Sequence, residues 1–362
     1  MDKSPFSKMI SPDWEGFIRC LSRQGTPRRV YFIELYIDGE MKEAICNRFG
    51  LVEDLNPNDP HYLLKREIAL QRFLGYDYVR CGVDDVGIPI ERLAVRDTAE
   101  LQRGGGRQFV NEHRGPITSW AEFEAYPWPD PASIATQNLQ WYQANLPEEL
   151  CIIASGGFAH FAEYLTWLMG YETLCFALFE QRDLVAAISQ RLIEIYEAVV
   201  KGMLQFDRVR VIWGSDDMGF RSGTLISPRD LREFVLPGHR AMARAAHAAG
   251  RPYLLHSCGK LDAIMGDLLE DVKIDALHSF EDTIRDVREA KMLWGDRIAV
   301  LGGIDMDFLC RASPGEVRQR VQATLDACMP GGGYCLGTGN SVANYLPLDN
   351  YLAMLDEGRN YS

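Results

Sequence analysis

The chain lacks the features that mark membrane and secreted proteins. No apolar run approaches the roughly 20 residues that a bilayer-spanning helix needs. Residues 1–5, which read Met-Asp-Lys-Ser-Pro, do not provide the apolar core of a signal peptide. We therefore expect a cytoplasmic protein without a membrane partner.

Positive charge is also scarce. The chain has 38 Lys and Arg residues against 51 Asp and Glu residues, which gives a formal net charge of -13 at pH 7. No basic run is longer than the Arg28-Arg29 pair. Because this balance repels a phosphate backbone, we expect no nucleic-acid partner.

The cysteines do not form a disulfide framework. The chain has 9 of them at irregular spacing, and several lie inside apolar runs. This pattern is typical of reduced thiols in an intracellular protein, so a cysteine with a special role is expected to be a metal ligand or a nucleophile. The hydrophobic fraction of 47% is ordinary and is sufficient for a sizeable core.

Apolar runs of strand length alternate with helical patterns along the chain. The eight candidate strands are residues 29–37, 76–83, 150–155, 209–214, 252–256, 274–278, 298–301 and 333–336. Continuous apolar strands separated by helices indicate a parallel sheet that is covered on both faces. Eight such units predict a (β/α)8 TIM barrel, an α/β fold in one domain over residues 1–362; an open, doubly wound sheet is the alternative.

Two segments stand outside this alternation. Residues 1–28 precede the first predicted strand and are interpreted as an N-terminal extension. Residues 84–147 lie between the second and third predicted strands and are rich in glycine and proline with little periodicity. In a barrel this excursion would emerge at the catalytic end, where it would form either a lid or substrate wall or a packing insertion.

Polar residues follow nearly every predicted strand. The polar residues at these strand ends are Glu34, Tyr36, Asp38, Asp84, Asp85, Ser155, Asp216, Asp217, His256, Cys258, His278, Glu281, Asp305, Thr338 and Asn340, and Gly157 lies next to Ser155. Barrel enzymes carry their chemistry where strands run into βα loops, so these residues are the candidates for an active site. Loop starts are polar in any protein, however, so an isolated carboxylate is weak evidence by itself.

His256 and Cys258 form the most informative pair. Residues two apart on a strand point to the same face, which in a barrel can be the lumen. Zinc accepts an imidazole nitrogen and a thiolate sulfur together, and a catalytic site keeps one coordination position open. The spacing therefore predicts a zinc site; the alternative is a buried cysteine beside a histidine that bonds a carbonyl group.

Several motifs, in this order and spacing, resemble those of the uroporphyrinogen decarboxylase superfamily, including its cobalamin-linked, zinc-dependent methyltransferase branch. They are Gly25-Thr26-Pro27-Arg28-Arg29-Val30, Ser155-Gly156-Gly157-Phe158, Gly214-Ser215-Asp216-Asp217-Met218-Gly219, His256-Ser257-Cys258-Gly259, Gly302-Gly303-Ile304-Asp305 and Pro347-Leu348-Asp349-Asn350. The resemblance covers most of the chain. It implies a (β/α)8 barrel, and its members are often dimers, so a homodimer is an expectation.

Two departures separate the chain from the true decarboxylases of this superfamily. Those enzymes carry an R-Q-A-G-R segment near the first strand that holds substrate carboxylates, whereas residues 33–39 here include Glu34 and Asp38. The decarboxylase histidine of the last strand end is replaced by Thr338. Tyr164 and an aspartate after the second strand, Asp84 or Asp85, remain as counterparts of that enzyme's polar residues.

The methyltransferase branch implies zinc ligands that only partly match. His256 and Cys258 correspond to its H-x-C motif, but the second cysteine of the branch falls on or near Asn340. An amide oxygen is a poor zinc ligand. The candidates for the third ligand are therefore Cys335, His278, Glu281 and Asp217.

We expect a methyltransferase in which zinc, held by His256 and Cys258, activates a thiol that takes a methyl group from a methylated corrinoid protein or a small methyl donor. The residues expected to handle protons or position polar atoms are Asp216, Asp217, Glu34 and Tyr164. Those expected to contact the substrate are Tyr36, Asp85, Gly157, Asp305 and Asn340. The alternatives are a metal-free decarboxylase or lyase that acts on a different acidic substrate, and a non-catalytic barrel that binds a corrinoid or a partner.

Overall fold

A curled parallel sheet of seven strands forms the centre of the protein. The computed structural model describes residues 4–84, 86–104 and 106–361. The strands are β1 Tyr78–Cys81, β4 Cys151–Ser155, β5 Val209–Ser215, β6 Tyr253–His256, β7 Ala276–His278, β8 Ala299–Leu301 and β9 Tyr334–Cys335, which neighbour one another in that order. All neighbouring pairs are parallel. The sheet therefore has the barrel-like curvature expected from the sequence, with seven of the eight predicted strands.

The first predicted strand, residues 29–37, is the exception and corrects the expectation of a closed eight-stranded sheet. It makes only isolated parallel bridges, Phe32 to Leu336 and Ile37 to Val342, on the β9 side. On the β1 side, hydrogen bonds from side chains take the place of the backbone–backbone hydrogen bonds of a regular sheet. The backbone N–H of Glu34 donates to the Tyr78 hydroxyl at 3.0 Å, and the Arg80 guanidinium donates to the Glu34 carbonyl at 3.3 Å. We call this gap between Glu34 and β1 the seam.

Helices cover the outside of the sheet. They are α1 Trp14–Leu21, α2 Gly39–Phe49, α3 Tyr62–Leu74, α4 Trp120–Ala125, α5 Gln137–Asn145, α6 Phe161–Met169, α7 Tyr171–Glu180, α8 Arg182–Met203, α9 Pro228–Asp230, α10 Leu236–Ala248, α11 Met265–Asp267, α12 Val287–Trp294, α13 Met306–Arg311, α14 Pro314–Cys328 and α15 Leu348–Asn360. Ser313 and Glu316 form a capping box at the start of α14, as the Ser-Pro pattern predicts. Within the described residues, no helix combines the length and apolar character that crossing a bilayer requires.

The excursion between β1 and β4 contains an antiparallel hairpin that the sequence pattern did not predict. Its strands are β2 Arg92–Val95 and β3 Arg107–Val110. All four residues of β2 are exposed, so no alternation of apolar and polar residues marks the strand. Asn344 holds the base of the hairpin by donating to Asp97 and to the Leu101 carbonyl, both at 2.7 Å. The hairpin is thereby fixed to the loop that follows β9.

Candidate metal centre and active site

Three potential metal ligands meet where β5 and β6 end. His256 is the last residue of β6, Cys258 lies two residues further on, and Asp217 follows β5. The His256 Nε2 atom lies 3.5 Å from the Cys258 sulfur and 3.4 Å from Asp217 Oδ1. In the described part of the chain, these residues form the group of at least three His, Cys, Asp or Glu side chains whose ligand atoms all lie within 4.8 Å of one another. We call them the ligand triad.

The two loops that carry the ligand triad touch through their backbones. A Cβ atom built on Gly259 would lie 2.1 Å from the Gly219 carbonyl carbon, and Gly259 has φ +89°, so only glycine fits this crossing. The Cys258 N–H donates to Asp217 Oδ1 at 2.8 Å, and the Met218 N–H donates to the Ser257 hydroxyl at 3.1 Å. These contacts hold Asp217 beside Cys258.

A chain of hydrogen bonds behind His256 determines where its protons lie. The Nδ1 atoms of His256 and His278 are 2.7 Å apart, and His278 Nε2 lies 3.3 Å from the Thr338 carbonyl. Burial, together with the neighbouring His256, holds the pKa of His278 well below its usual value, so this ring is neutral. Because a carbonyl only accepts, His278 carries its proton on Nε2 and accepts at Nδ1 from His256. Neutral His256 therefore has its lone pair on Nε2, which faces the other two ligands.

The charges of the triad favour a cation. Burial opposes ionisation of Asp217, but the neighbouring His256 and the hydrogen bond from the Cys258 N–H hold the pKa of Asp217 at about 2, so Asp217 is a carboxylate. Burial and this carboxylate raise the pKa of the Cys258 thiol far above its usual value. A thiol next to a carboxylate gives up its proton readily only when a positive charge is bound beside both groups.

The remaining candidates for the third ligand lie outside the triad. Cys335 is fully buried in β9, where it contacts Cys20 of α1. His278 bonds His256 from behind, and Glu281 lines a neighbouring cavity together with Asn340. Asn340 contacts the triad, because its side-chain amide donates to the Cys258 sulfur at 3.3 Å. The structure thus places Asn340 as a hydrogen-bond donor to the sulfur.

Asp216 lies outside the triad although it adjoins Asp217. Its side chain is fully buried and accepts hydrogen bonds from the backbone N–H groups of Ala162 and Glu163 at 2.9 and 3.0 Å, at the start of α6. His239 Nε2 lies 2.9 Å from the same carboxylate. Through these contacts Asp216 links the start of α6 to α10.

The other predicted substrate residues are spread over the strand ends. Asp305 begins α13 by accepting from the Phe308 N–H at 3.0 Å, and it also accepts from the Asp282 N–H at 3.0 Å. Tyr36 is about half exposed beside the seam, and Gly157 follows β4 with φ +68°. Asp85 lies outside the described residues.

The sequence pattern did not predict a pair of titratable side chains next to the triad. His160 Nδ1 lies 2.5 Å from Glu163 Oε2, and the same oxygen accepts from the Asp217 N–H at 3.3 Å. Burial raises the pKa of Glu163; burial opposes a charge on His160, but the hydrogen bond with Glu163 raises its pKa. Tyr164 lies against this pair, with ring centres 6.4 Å apart from His160. The i, i+3 spacing on α6 could have indicated the pair, but not its position at the triad.

Glu34 lies beside the seam, where it accepts hydrogen bonds from the Thr338 N–H at 2.9 Å and interacts with the Thr338 hydroxyl at 2.5 Å. Burial raises the pKa of Glu34 to about 8. Glu34 is therefore protonated at neutral pH in the folded chain, whereas it ionises near 4.5 in the unfolded chain.

We expect this difference to make the wild-type protein less stable as the pH rises. Since the folded pKa exceeds the unfolded one, the contribution of Glu34 is complete below pH 4.5 and is lost as the pH rises to about 8. Between these values, Glu34→Gln should remove a slope of up to ~1.4 kcal/mol per pH unit. Urea unfolding of wild type and Glu34→Gln from pH 5 to 8.5 measures this slope. Parallel plots of the free energy of unfolding against pH for the two proteins would show that Glu34 is ionised in the folded state.

The protein has an α/β fold with a curled parallel sheet, and His, Cys and carboxylate side chains meet at its strand ends. These features define the class of the protein. The chain belongs to the uroporphyrinogen decarboxylase (URO-D) family, whose sequence model matches residues 81–361. This match confirms the resemblance seen in the motifs.

Two known proteins are similar to the chain. A methylated-thiol–coenzyme M methyltransferase from Methanosarcina mazei is 30% identical over 133 residues, which are 36% of this chain and 33% of that protein. The match thus spans about a third of that relative's length. A solved structure described as a methyltransferase from Methanosarcina mazei has a TM-score of 0.68 and 17% identity, and the superposition covers 96% of this chain and 98% of that chain. This second likeness shows a shared fold.

Proposed function

We propose that this protein is a zinc-dependent methyltransferase that activates a small thiol for methylation. The observation that supports this most strongly is the lone pair of His256 Nε2, which the hydrogen bonds through His278 direct toward Cys258 and Asp217. A protein site that aims imidazole nitrogen, sulfur and carboxylate oxygen at one point suits zinc.

The separations within the triad fit this assignment. Zinc binds nitrogen and oxygen at about 2.0–2.2 Å and sulfur at about 2.3 Å, so two ligands of a tetrahedral site lie roughly 3.3–3.7 Å apart. The separations from His256 Nε2 to the other two ligand atoms, 3.4 and 3.5 Å, lie within that range. Three protein ligands leave the fourth position for an exchangeable group, as in catalytic sites.

A zinc ion at this position would supply the positive charge that lowers the pKa of an incoming thiol, so that the thiol reacts as its thiolate near neutral pH. The chain's own residues then orient the reactants and move the proton. Asn340 donates to the Cys258 sulfur and limits its negative charge. In this proposal the His160–Glu163 pair, which contacts the backbone of Asp217, receives the thiol proton.

The reaction forms a sulfur–methyl bond and breaks the bond between the methyl group and its donor. A methylated corrinoid protein or a small methyl donor supplies that group in this proposal. The name of the Methanosarcina mazei relative includes a methylated thiol. This relative supports a thiol among the reactants here.

Zinc content and methyl transfer test the proposal together. Protein purified without added metal should contain about one zinc ion per chain and should convert small thiols to methyl thioethers with methylcobalamin as donor, followed by mass spectrometry. Chelation should abolish the activity, and zinc should restore it. Less than about 0.1 metal ion per chain, with activity unchanged by chelation, would contradict the zinc assignment.

The metal-free lyase is the second candidate, and one observation favours it. His256 Nε2 lies 3.4 Å from Asp217, so a protonated His256 would form an ion pair without any metal. In that case Asp217, Tyr164 and the His160–Glu163 pair would act as acids and bases. Carbon dioxide release from small carboxylic acids by the chelated protein would support the lyase.

A further inference from the structure

A cavity of about 460 Å³ lies at the seam, away from the ligand triad. Glu34 and Tyr36 line one side, and β1 and the end of β4 line the other. Helix α3 covers it with Leu63, Leu64 and Arg66. A cavity of this size accommodates a small organic molecule.

Arg80 of β1 is the central charged group of this cavity. Its guanidinium donates to the Ser155 hydroxyl at 2.9 Å and to the Glu34 carbonyl at 3.3 Å, and it lies 4.8 Å from the centre of the Trp213 ring. All three partners are neutral. Burial lowers the pKa of Arg80 to about 10, so it is still a cation at neutral pH. A buried cation without an opposite charge is costly unless a ligand neutralises it.

The other charges around the cavity do not neutralise Arg80. Lys42 and Glu67 form an ion pair at 2.7 Å and cancel each other. Burial raises the pKa of the Glu34 carboxyl to about 8, so it carries no charge at neutral pH. Arg66 adds a second cation, and its buried Nε atom has no hydrogen-bond partner. The cavity therefore carries an excess of positive charge in a chain whose net charge is -13.

We propose that the seam cavity binds an organic anion, with a carboxylate or sulfonate group placed against Arg80 and Arg66. A guanidinium presents parallel N–H donors that match such oxygen-rich groups. The apolar side chains of Leu63 and Leu64, with Tyr36, would contact the carbon skeleton of the ligand.

The site goes beyond the proposed zinc chemistry and does not depend on it. Arg80 and the triad nevertheless share one wall of the barrel. The Trp213 ring lies between them, 5.6 Å from the ring of His278, which bonds His256. The Trp213 ring therefore separates the seam cavity from the triad.

Direct binding to the full-length protein tests the inference. The probes are butyrate, 1-butanesulfonate, inorganic phosphate and the uncharged butanamide, measured by calorimetry with and without a chelator. We expect butyrate or butanesulfonate to bind, butanamide to bind at least about tenfold more weakly, and the chelator to have no effect. Arg80→Gln and Arg66→Gln should each weaken anion binding about tenfold or more, whereas Arg191→Gln on the outer face of α8 should not.

Several outcomes would overturn the inference. These are no binding of either organic anion up to about 10 mM, equal binding of butanamide and butyrate, or binding of phosphate alone. The comparison of butyrate with butanamide uses the wild-type protein, so it decides the matter even if Arg80→Gln does not fold. Absence of zinc from the purified protein, together with intact anion binding, would contradict only the proposed function.

Discussion

Replacing Cys258 with serine should lower the zinc content from about one ion to less than about 0.1 ion per chain and abolish methyl transfer. Cys258 provides the sulfur of the ligand triad, 3.5 Å from His256 Nε2. A serine hydroxyl does not replace a thiolate as a zinc ligand, because it stays protonated and binds the ion weakly. Metal analysis and the thioether assay on the same sample measure both effects.

Cys310→Ser is the matched control for this experiment. Cys310 is also a partly buried thiol whose pKa is raised by burial, but it lies in α13 and outside the triad. It should keep its zinc and its activity. Full methyl transfer by Cys258→Ser would contradict the zinc proposal. The metal-free lyase, in which Cys258 has no chemical role, instead predicts that Cys258→Ser keeps carbon dioxide release.

Asp216 and Asp217 should respond in opposite ways to substitution, although they are neighbours. Removing the Asp216 carboxylate leaves two N–H groups of α6 and the buried His239 without their acceptor. We expect Asp216→Ala to lower the free energy of unfolding by about 3–5 kcal/mol. Urea unfolding measures this loss.

Asp217→Asn should leave the stability nearly unchanged but weaken zinc binding by at least about 100-fold, because an amide oxygen is a poor zinc ligand. Competition with a chromogenic chelator measures the affinity. Each variant serves as the control for the other. If Asp216→Ala does not accumulate, Asp216→Asn provides a milder version. Equal zinc affinity of Asp217→Asn and wild type would remove Asp217 from the triad.

Much of the fold could be predicted from the sequence because parallel strands are buried on both faces. Residues 150–155, for example, form a continuous apolar run, and β4 is buried throughout. Residues 29–37 are also mostly apolar, yet form no regular strand. Side chains of Tyr78 and Arg80 bond the backbone of Glu34 where a ladder was expected. The replacement of backbone hydrogen bonds by side-chain hydrogen bonds depends on contacts between distant residues, which no local sequence pattern shows.

The site was predicted to a similar extent. The two-residue spacing of His256 and Cys258 placed both at one strand end, since alternation along a strand is a local property. We propose Asp217 among the four possible third ligands on the basis of the structure, because its position beside Cys258 depends on the contact between two loops. The partnership of His160 with Glu163 beside the triad depends on the packing of α6 against the loop after β5.

The backbone contact between Gly219 and Gly259 has a consequence for how a metal would be captured. Hydrogen bonds from the Met218 N–H to the Ser257 hydroxyl and from the Lys260 N–H to the Phe220 carbonyl hold the two loops together at this contact. The entropy cost of bringing the ligands together is therefore met when the chain folds and not when an ion arrives. The ligand atoms of such a site hold their positions before an ion binds. The preference of the site among metal ions would therefore be set by the spacing of these atoms and not by their adjustment to each ion.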